Sequence, residues 1–210
     1  VVLLQNGLAV ERPFVEAGFA DIYRCVLYLT SQTRAENAFT FRSITSCPIG
    51  TVRGNPDLVP RLVETLSTPG LTFHAVSQID RQVWKKAFVN CVFNSICPLL
   101  DVDNGIFARD PEVAKLAAEL IEECVSLSDR MGLGLTAAEL MQQIMLISSN
   151  SKQLISTLQD LRNGRPTEIE SLNLEIARVA RSQEPPVPVP RVELLGRMIL
   201  AKSGISSAAL

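Results

Sequence analysis

Trp84-Lys85-Lys86-Ala87-Phe88-Val89-Asn90-Cys91-Val92-Phe93-Asn94 is the stretch that decides how this chain reads. Lys86, Asn90 and Asn94 recur at i, i+4 and i+8. In a helix each step of four advances about 40° around the axis and about 6 Å along it, so the three side chains form one slowly turning stripe. Phe88, Val89, Val92 and Phe93 between them are apolar, which predicts a helix buried over much of its circumference. A lysine and two carboxamides on such a helix need polar company or a cavity. The pattern alone leaves two readings open. In one, Lys86 snorkels to solvent while the asparagines tie down loops. In the other the stripe lines a cleft, and a lysine poised by burial serves as an acid catalyst.

Working outward, the chain divides near residue 78. Beyond it nearly everything has helical period. A long helix is expected from Ile79 to about Leu100, with Pro98 as its earliest stop. Asp110-Pro111 opens a second, with Val113, Leu116, Ala117, Leu120, Ile121 and Cys124 on its apolar side and Gly132 closing it. Thr136 and Glu139 have capping-box spacing and open a third. Shorter helices are expected around 152–162 and 169–182. The PPVPVP run at 185–190 reads as a rigid extended connector, and 192–202 as the last helix. Before residue 78 the pattern is α/β: apolar or β-branched runs at 1–4, 22–29, 38–44, 49–52 and 71–76 read as strands. The 1–4 run, continuous and apolar, is expected to be a strand that a parent domain would bury on both faces and that in this chain has lost neighbours, leaving an exposed edge. The TSQTRAEN segment at 30–37 reads as a loop. Asn55-Pro56 caps a helix carrying Leu58, Leu62, Val63 and Leu66, stopped by Pro69-Gly70.

The composition of the 210 residues excludes several functions. Hydrophobic residues make up 47% and charged ones 20%, as in an ordinary globular chain. Twenty basic against twenty-two acidic residues leave a net charge of −2, which argues against nucleic acid or an anionic membrane as partner. No apolar run reaches the length of a membrane span. The opening VVLLQNGLAV lacks the basic region and cleavage site of a secretory signal. Five cysteines without a CxxC pair, and one histidine, His74, exclude a disulfide framework and a zinc site of the usual spacing. Buried thiols in a reducing compartment, and so a cytoplasmic setting, are the expectation. No triad partner accompanies His74.

Two further segments carry chemistry. Ser156-Thr157-Leu158-Gln159-Asp160 runs on to Gly164-Arg165-Pro166-Thr167-Glu168-Ile169-Glu170. There Glu168 falls in a helix's first turn, a place the macrodipole favours for any carboxylate, and Thr167 is the candidate cap. Gln5-Asn6-Gly7 ends a strand, where open α/β sheets bind ligands, though alone it is a turn.

Taken in order, LLQNG, WKKxxxNxxxN and SxLQDxxxGRxTEIExLN resemble the ketopantoate reductase (2-dehydropantoate 2-reductase) family over nearly the whole chain. The resemblance implies a fold in two parts. Residues 1–77 would be the C-terminal portion of a Rossmann-type NADP-binding domain, an α/β remnant. Residues 78–210 would be an all-α substrate-binding and dimerisation domain, 6-phosphogluconate-dehydrogenase-like. It implies NADPH-dependent reduction of a 2-keto acid, in pantothenate biosynthesis or close to it, by a homodimer with no metal. By the same resemblance Lys86 would protonate the developing alkoxide and Glu168 would bind substrate and hold Lys86. Asn90, Asn94 and Ser156 would bind substrate oxygens, Asn6 would face the nicotinamide, and Asp160 would fix the Ser156 turn.

The chain departs from the pattern in places. Thr157 stands where the family usually has Met, and residues 30–37 lack the Gly-rich turn expected there. Leu174 stands where a glycine commonly follows the Asn, which implies a narrowed or repacked site and hence a different 2-keto acid. No Gly-x-Gly-x-x-Gly occurs, and the chain opens on Val1 at what reads as a late Rossmann strand. A truncated or shortened relative, unable to bind NADPH well alone, is therefore expected. The alternative is a non-redox derivative that uses the fold for dimerisation, ligand binding or a cofactor-free reaction.

Overall fold

The opening apolar run forms β1, Val2–Leu3, in the computed structural model, which describes residues 1–35 and 38–208. Leu3 is buried, but Val1 and Leu4 are 39% and 43% exposed, so the run is not sealed on both faces. The following elements are α1 (Arg12–Glu16), β2 (Ile22–Cys25), β3 (Leu29–Ala35), β4 (Ala38–Ser43) and β5 (Cys47–Arg53). A 3-10 turn at Pro56–Leu58 then runs into α2 (Val59–Leu66), and β6 (Phe73–Ala75) closes the α/β part. Asn55 caps as expected, its side chain accepting from the Asp57 N–H at 2.9 Å. The helix ends at Leu66, before Pro69-Gly70 is reached.

One four-stranded sheet has the order β1-β2-β5-β6, parallel at β1/β2 and β5/β6 and antiparallel at β2/β5. Its core is Tyr23, Cys25, Cys47, Ile49, Val59 and Phe73. Two expectations change here. The 22–29 run is not one strand: β2 ends at Cys25, and Leu29 starts a separate antiparallel pair, β3 with β4. The 30–37 segment is strand as far as Ala35, because Thr30 to Thr33 find cross-strand partners in β4 that a sequence window cannot show. Glu36 and Asn37 lie outside the described residues.

The chain forms two compact units, Val1–Val83 and a second from Trp84 onward. Their division falls inside α3 (Ile79–Leu100), which runs through Pro98 instead of stopping there. The second unit continues with α4 (Ile106–Arg109), α5 (Pro111–Arg130), α6 (Ala137–Asn150) and α7 (Ser156–Arg162). A 3-10 turn at Glu168–Ser171, α8 (Asn173–Arg181) and α9 (Pro190–Ala208) complete it. Asp110 accepts the Glu112 and Val113 N–H groups and opens α5. Thr136 accepts from the Glu139 N–H at 3.2 Å and opens α6. Thr167 supplies no cap; what the period suggested as one helix over 169–182 is a 3-10 turn followed by α8. The last helix starts at Pro190, two residues before the expected start, because proline suits a first helical position.

Phe88, Val92 and Phe93 of α3 are sealed from solvent, and Phe93 meets Phe107 of α4 edge-on at 4.9 Å. Leu116, expected on the buried side of α5, is 46% exposed. It lines a groove of about 510 Å³ with Ile96, Leu100, Leu194 and Met198, rimmed by the Glu119–Arg191 ion pair at 2.9 Å. No helix among the described residues is long and apolar enough to cross a membrane.

Candidate functional site in the helical unit

The α3 stripe forms as the spacing requires. Asn94 is 3% exposed, while Lys86 and Asn90 are half-buried. Lys85 is committed elsewhere, its Nζ donating to Glu139 on α6 at 2.8 Å. Pro98 has no N–H, so the Asn94 carbonyl loses its i+4 donor within α3. The Asn94 side chain is fixed across the unit: the buried Thr157 hydroxyl donates to its Oδ1 at 2.7 Å. That bond brings the first turn of α7, and with it Ser156, to the end of the stripe. Ser156 itself is exposed at the first helical position.

The approach to α7 is strapped to the turn between α3 and α4. The Asn104 N–H donates to the Gln153 carbonyl at 3.0 Å, and the Ala108 N–H donates to the Ser148 hydroxyl at 3.0 Å. Asp160 lies one turn after Ser156 on α7. Its carboxylate pairs with Arg165 at 2.9 Å and its carbonyl accepts from the Arg165 N–H at 2.8 Å, so it closes the turn after α7. Glu168 sits exposed in the 3-10 turn that Ile169, fully buried against Leu161 and Ile199, anchors.

In the first unit Asn6 is exposed in the turn that follows β1. Gly7 in that turn has φ of +88°, a conformation glycine adopts without strain. Arg24 on β2 donates to the Gly7 carbonyl at 2.9 Å and pairs with Glu11. His74 is exposed and shares a hydrogen bond with the Ser46 hydroxyl at 3.0 Å. No group of three or more metal-ligating side chains occurs among the described residues.

Three contributors escape a reading of the sequence. Thr157 is visible there only as a departure, not as the partner of Asn94. Asn173 lies inside the quoted motif, yet only the fold shows it fully buried, its Nδ2 donating to the Cys91 carbonyl of α3 at 3.3 Å. Arg24 had one signal, an arginine in the otherwise apolar IYRCVLYL.

Comparison with known proteins defines the class. The chain has the fold of D-mandelate dehydrogenase in its complex with NADH, with a TM-score of 0.87 at 22% identity over 98% of this chain and 70% of that one. It likewise superposes on a ketopantoate reductase of the PanE/ApbA family from Ralstonia eutropha, with a TM-score of 0.82 at 22% identity over 98% of this chain and 67% of the other. A dimeric ketopantoate reductase from Staphylococcus aureus gives 0.80 at 20% identity, over 98% of this chain and 68% of that one.

Residues 78–203 match the family model described as ketopantoate reductase PanE/ApbA C terminal, and the chain belongs to that family. Among its relatives is the 2-dehydropantoate 2-reductase of Archaeoglobus fulgidus, 31% identical over 61% of this chain and 42% of its own length. That of Halobacterium salinarum is 29% identical over 91% and 64%. The chain thus spans less than two thirds of the length of both.

Proposed function

We propose that this chain carries the substrate side of an NADPH-dependent reductase of 2-dehydropantoate, or of a close 2-keto acid, in pantothenate biosynthesis. The observation that carries the reading is the Thr157–Asn94 hydrogen bond, which joins the Lys86/Asn90/Asn94 stripe to the start of α7 beside Ser156. Residues 78–210 are then the substrate and dimerisation domain. Residues 1–77 are the later part of a Rossmann-type NADP-binding domain, a reading supported by the parallel pairs β1/β2 and β5/β6.

The Gln5-Asn6-Gly7 turn fits the nicotinamide end of NADPH. It is exposed, held by Arg24, and placed after the end of a strand in a parallel pair. The 210 residues contain no Gly-rich pyrophosphate cradle, so this chain by itself is expected not to bind NADPH at micromolar concentration. Bound NADPH supplies the hydride.

The chain's own residues do the rest. Negative charge builds on the keto oxygen as the carbonyl carbon is reduced. Lys86, as ammonium, stabilises that oxygen and donates its proton there, leaving a hydroxyl and an amine that solvent reprotonates. Asn90, Asn94 and Ser156 orient the acid through its oxygens, and Glu168 binds substrate and positions Lys86. Two copies associate through the helical unit, and the apolar groove between α3, α5 and α9 supports that assembly.

The test is steady-state kinetics of the full-length protein with 2-dehydropantoate and NADPH. Lys86→Ala is expected to lower kcat by about 10²–10⁴, the range of one general acid, with KM for NADPH unchanged. Glu168→Ala is expected to raise the KM for 2-dehydropantoate as well as lower the rate. A Lys86→Ala protein with near-normal kcat overturns the assignment.

A further inference from the structure

Asn94 is 3% exposed, and its two amide hydrogens meet no acceptor among the described residues. The Asn94 amide nitrogen is not one of the sealed, unpartnered polar atoms among the described residues, so its N–H groups are open to a ligand. Its Oδ1 is satisfied, by the hydroxyl of Thr157, itself 2% exposed. That hydroxyl has one proton, it is spent on Oδ1, and the hydroxyl makes no other hydrogen bond among the described residues. Turning the amide over would set Nδ2 against the hydroxyl and strip Thr157 of its acceptor in a sealed site, a cost that keeps Oδ1 where it is.

We propose that Thr157 is a positioning residue for substrate specificity: it locks the Asn94 carboxamide so that only N–H donors remain for the ligand. This rests on the reading of Asn94 as a substrate contact. The ligand group taken up there is an oxygen acceptor, a carboxylate, keto or hydroxyl oxygen of the 2-keto acid, and an amine or ammonium at that position meets donor against donor. The lock acts on binding of the acid, so it belongs in KM for the acid and not in the hydride or proton step.

The experiment is steady-state kinetics of the full-length protein with 2-dehydropantoate and NADPH, on wild type, Thr157→Val, Thr157→Ser, Asn94→Ala and the Asn94→Ala/Thr157→Val double variant. Valine keeps the shape and removes the hydroxyl; serine keeps the hydroxyl. Thr157→Val is expected to raise KM for 2-dehydropantoate about 5- to 10-fold, one neutral hydrogen bond's worth, with kcat and KM for NADPH unchanged. Thr157→Ser is expected to stay at the wild-type KM. In the Asn94→Ala background Thr157→Val is expected to add nothing, because its effect passes through Asn94.

A wild-type KM in Thr157→Val beside a raised one in Asn94→Ala overturns the lock and leaves the substrate reading standing. Equal losses in the valine and serine variants, or a full valine effect in the Asn94→Ala background, also overturn the lock, since they mark packing. A wild-type KM in Asn94→Ala, or no saturable turnover by the wild type, overturns the substrate reading and the lock together.

Discussion

Glu123 shows what a single residue contributes when it is buried at the end of another element. Its side chain, 7% exposed, lies on α5 but accepts the backbone N–H groups of Arg191 at 3.0 Å and Val192 at 3.0 Å. It also receives the Arg191 guanidinium at 3.2 Å. Those N–H groups open α9, which has no acceptor of its own for them there, and a carboxylate at a helix start also complements the dipole. Glu123→Ala is expected to lower stability by about 2–3 kcal/mol, read as a lower urea midpoint, because buried donors lose a charged acceptor. Glu123→Gln keeps an acceptor and is expected to recover most of the loss. In the sequence Glu123 is one acid among the three in AELIEE, indistinguishable from a solvated face.

Among the elements, the α8–α9 crossing is a close approach that a single glycine permits. A Cβ added at Gly196 of α9 would fall 2.8 Å from the Asn173 Cβ and 2.9 Å from the Leu174 Cδ2 of α8. Leu174, the unusual residue after the motif's Asn, is therefore repacked against α9, where glycine leaves room for it. Gly196→Ala is expected to destabilise by about 1–3 kcal/mol despite alanine's better helix propensity, because the overlap is with a buried helix that cannot withdraw. Thermal unfolding of the variant checks it: an unchanged or higher Tm would show that the helices separate freely. The same crossing holds Asn173 over the Cys91 carbonyl, so the substitution is also expected to disturb the α3 stripe.

For the whole molecule the five thiols give the clearest expectation. All are free and buried. Burial pushes the thiols of Cys25 and Cys97 from 9.0 up to about 12, with nearby Cys47 and Asp103 adding to the respective shifts. The native state therefore holds these protons where the unfolded chain releases them. Their contribution is fully present below about pH 9 and is lost as pH rises toward 12. Urea midpoints measured from pH 8 to 11 are expected to fall, and a thiol reagent at pH 7.5 is expected to find all five groups only after unfolding. Immediate labelling of the native protein would contradict that burial.

The exposed apolar face is the other large-scale feature, with Leu194 58% and Leu116 46% exposed beside the groove. If two copies meet there, Leu194→Glu is expected to shift the protein toward monomer in sedimentation equilibrium without lowering Tm.

How much could be read without the fold depends on the range of the interaction. Helix starts at Asp110, Thr136 and Asn55 were legible because a cap and its N–H partners lie within three residues of each other. The Lys86/Asn90/Asn94 stripe was legible because helical period alone sets it. The sequence by itself therefore determined the division into an α/β part and a helical part, the capped helices, the family and the polar stripe. Tertiary structure alone decided that 29–35 is a strand, since its partners are in β4. It alone decided that Leu116 faces solvent, that Glu123 serves α9, and that Asn94 meets Thr157, 63 residues away in the chain. The physical reason is the same each time: the partner that satisfies a donor or fills a space is brought there by the packing of other elements, and no local pattern encodes its distance.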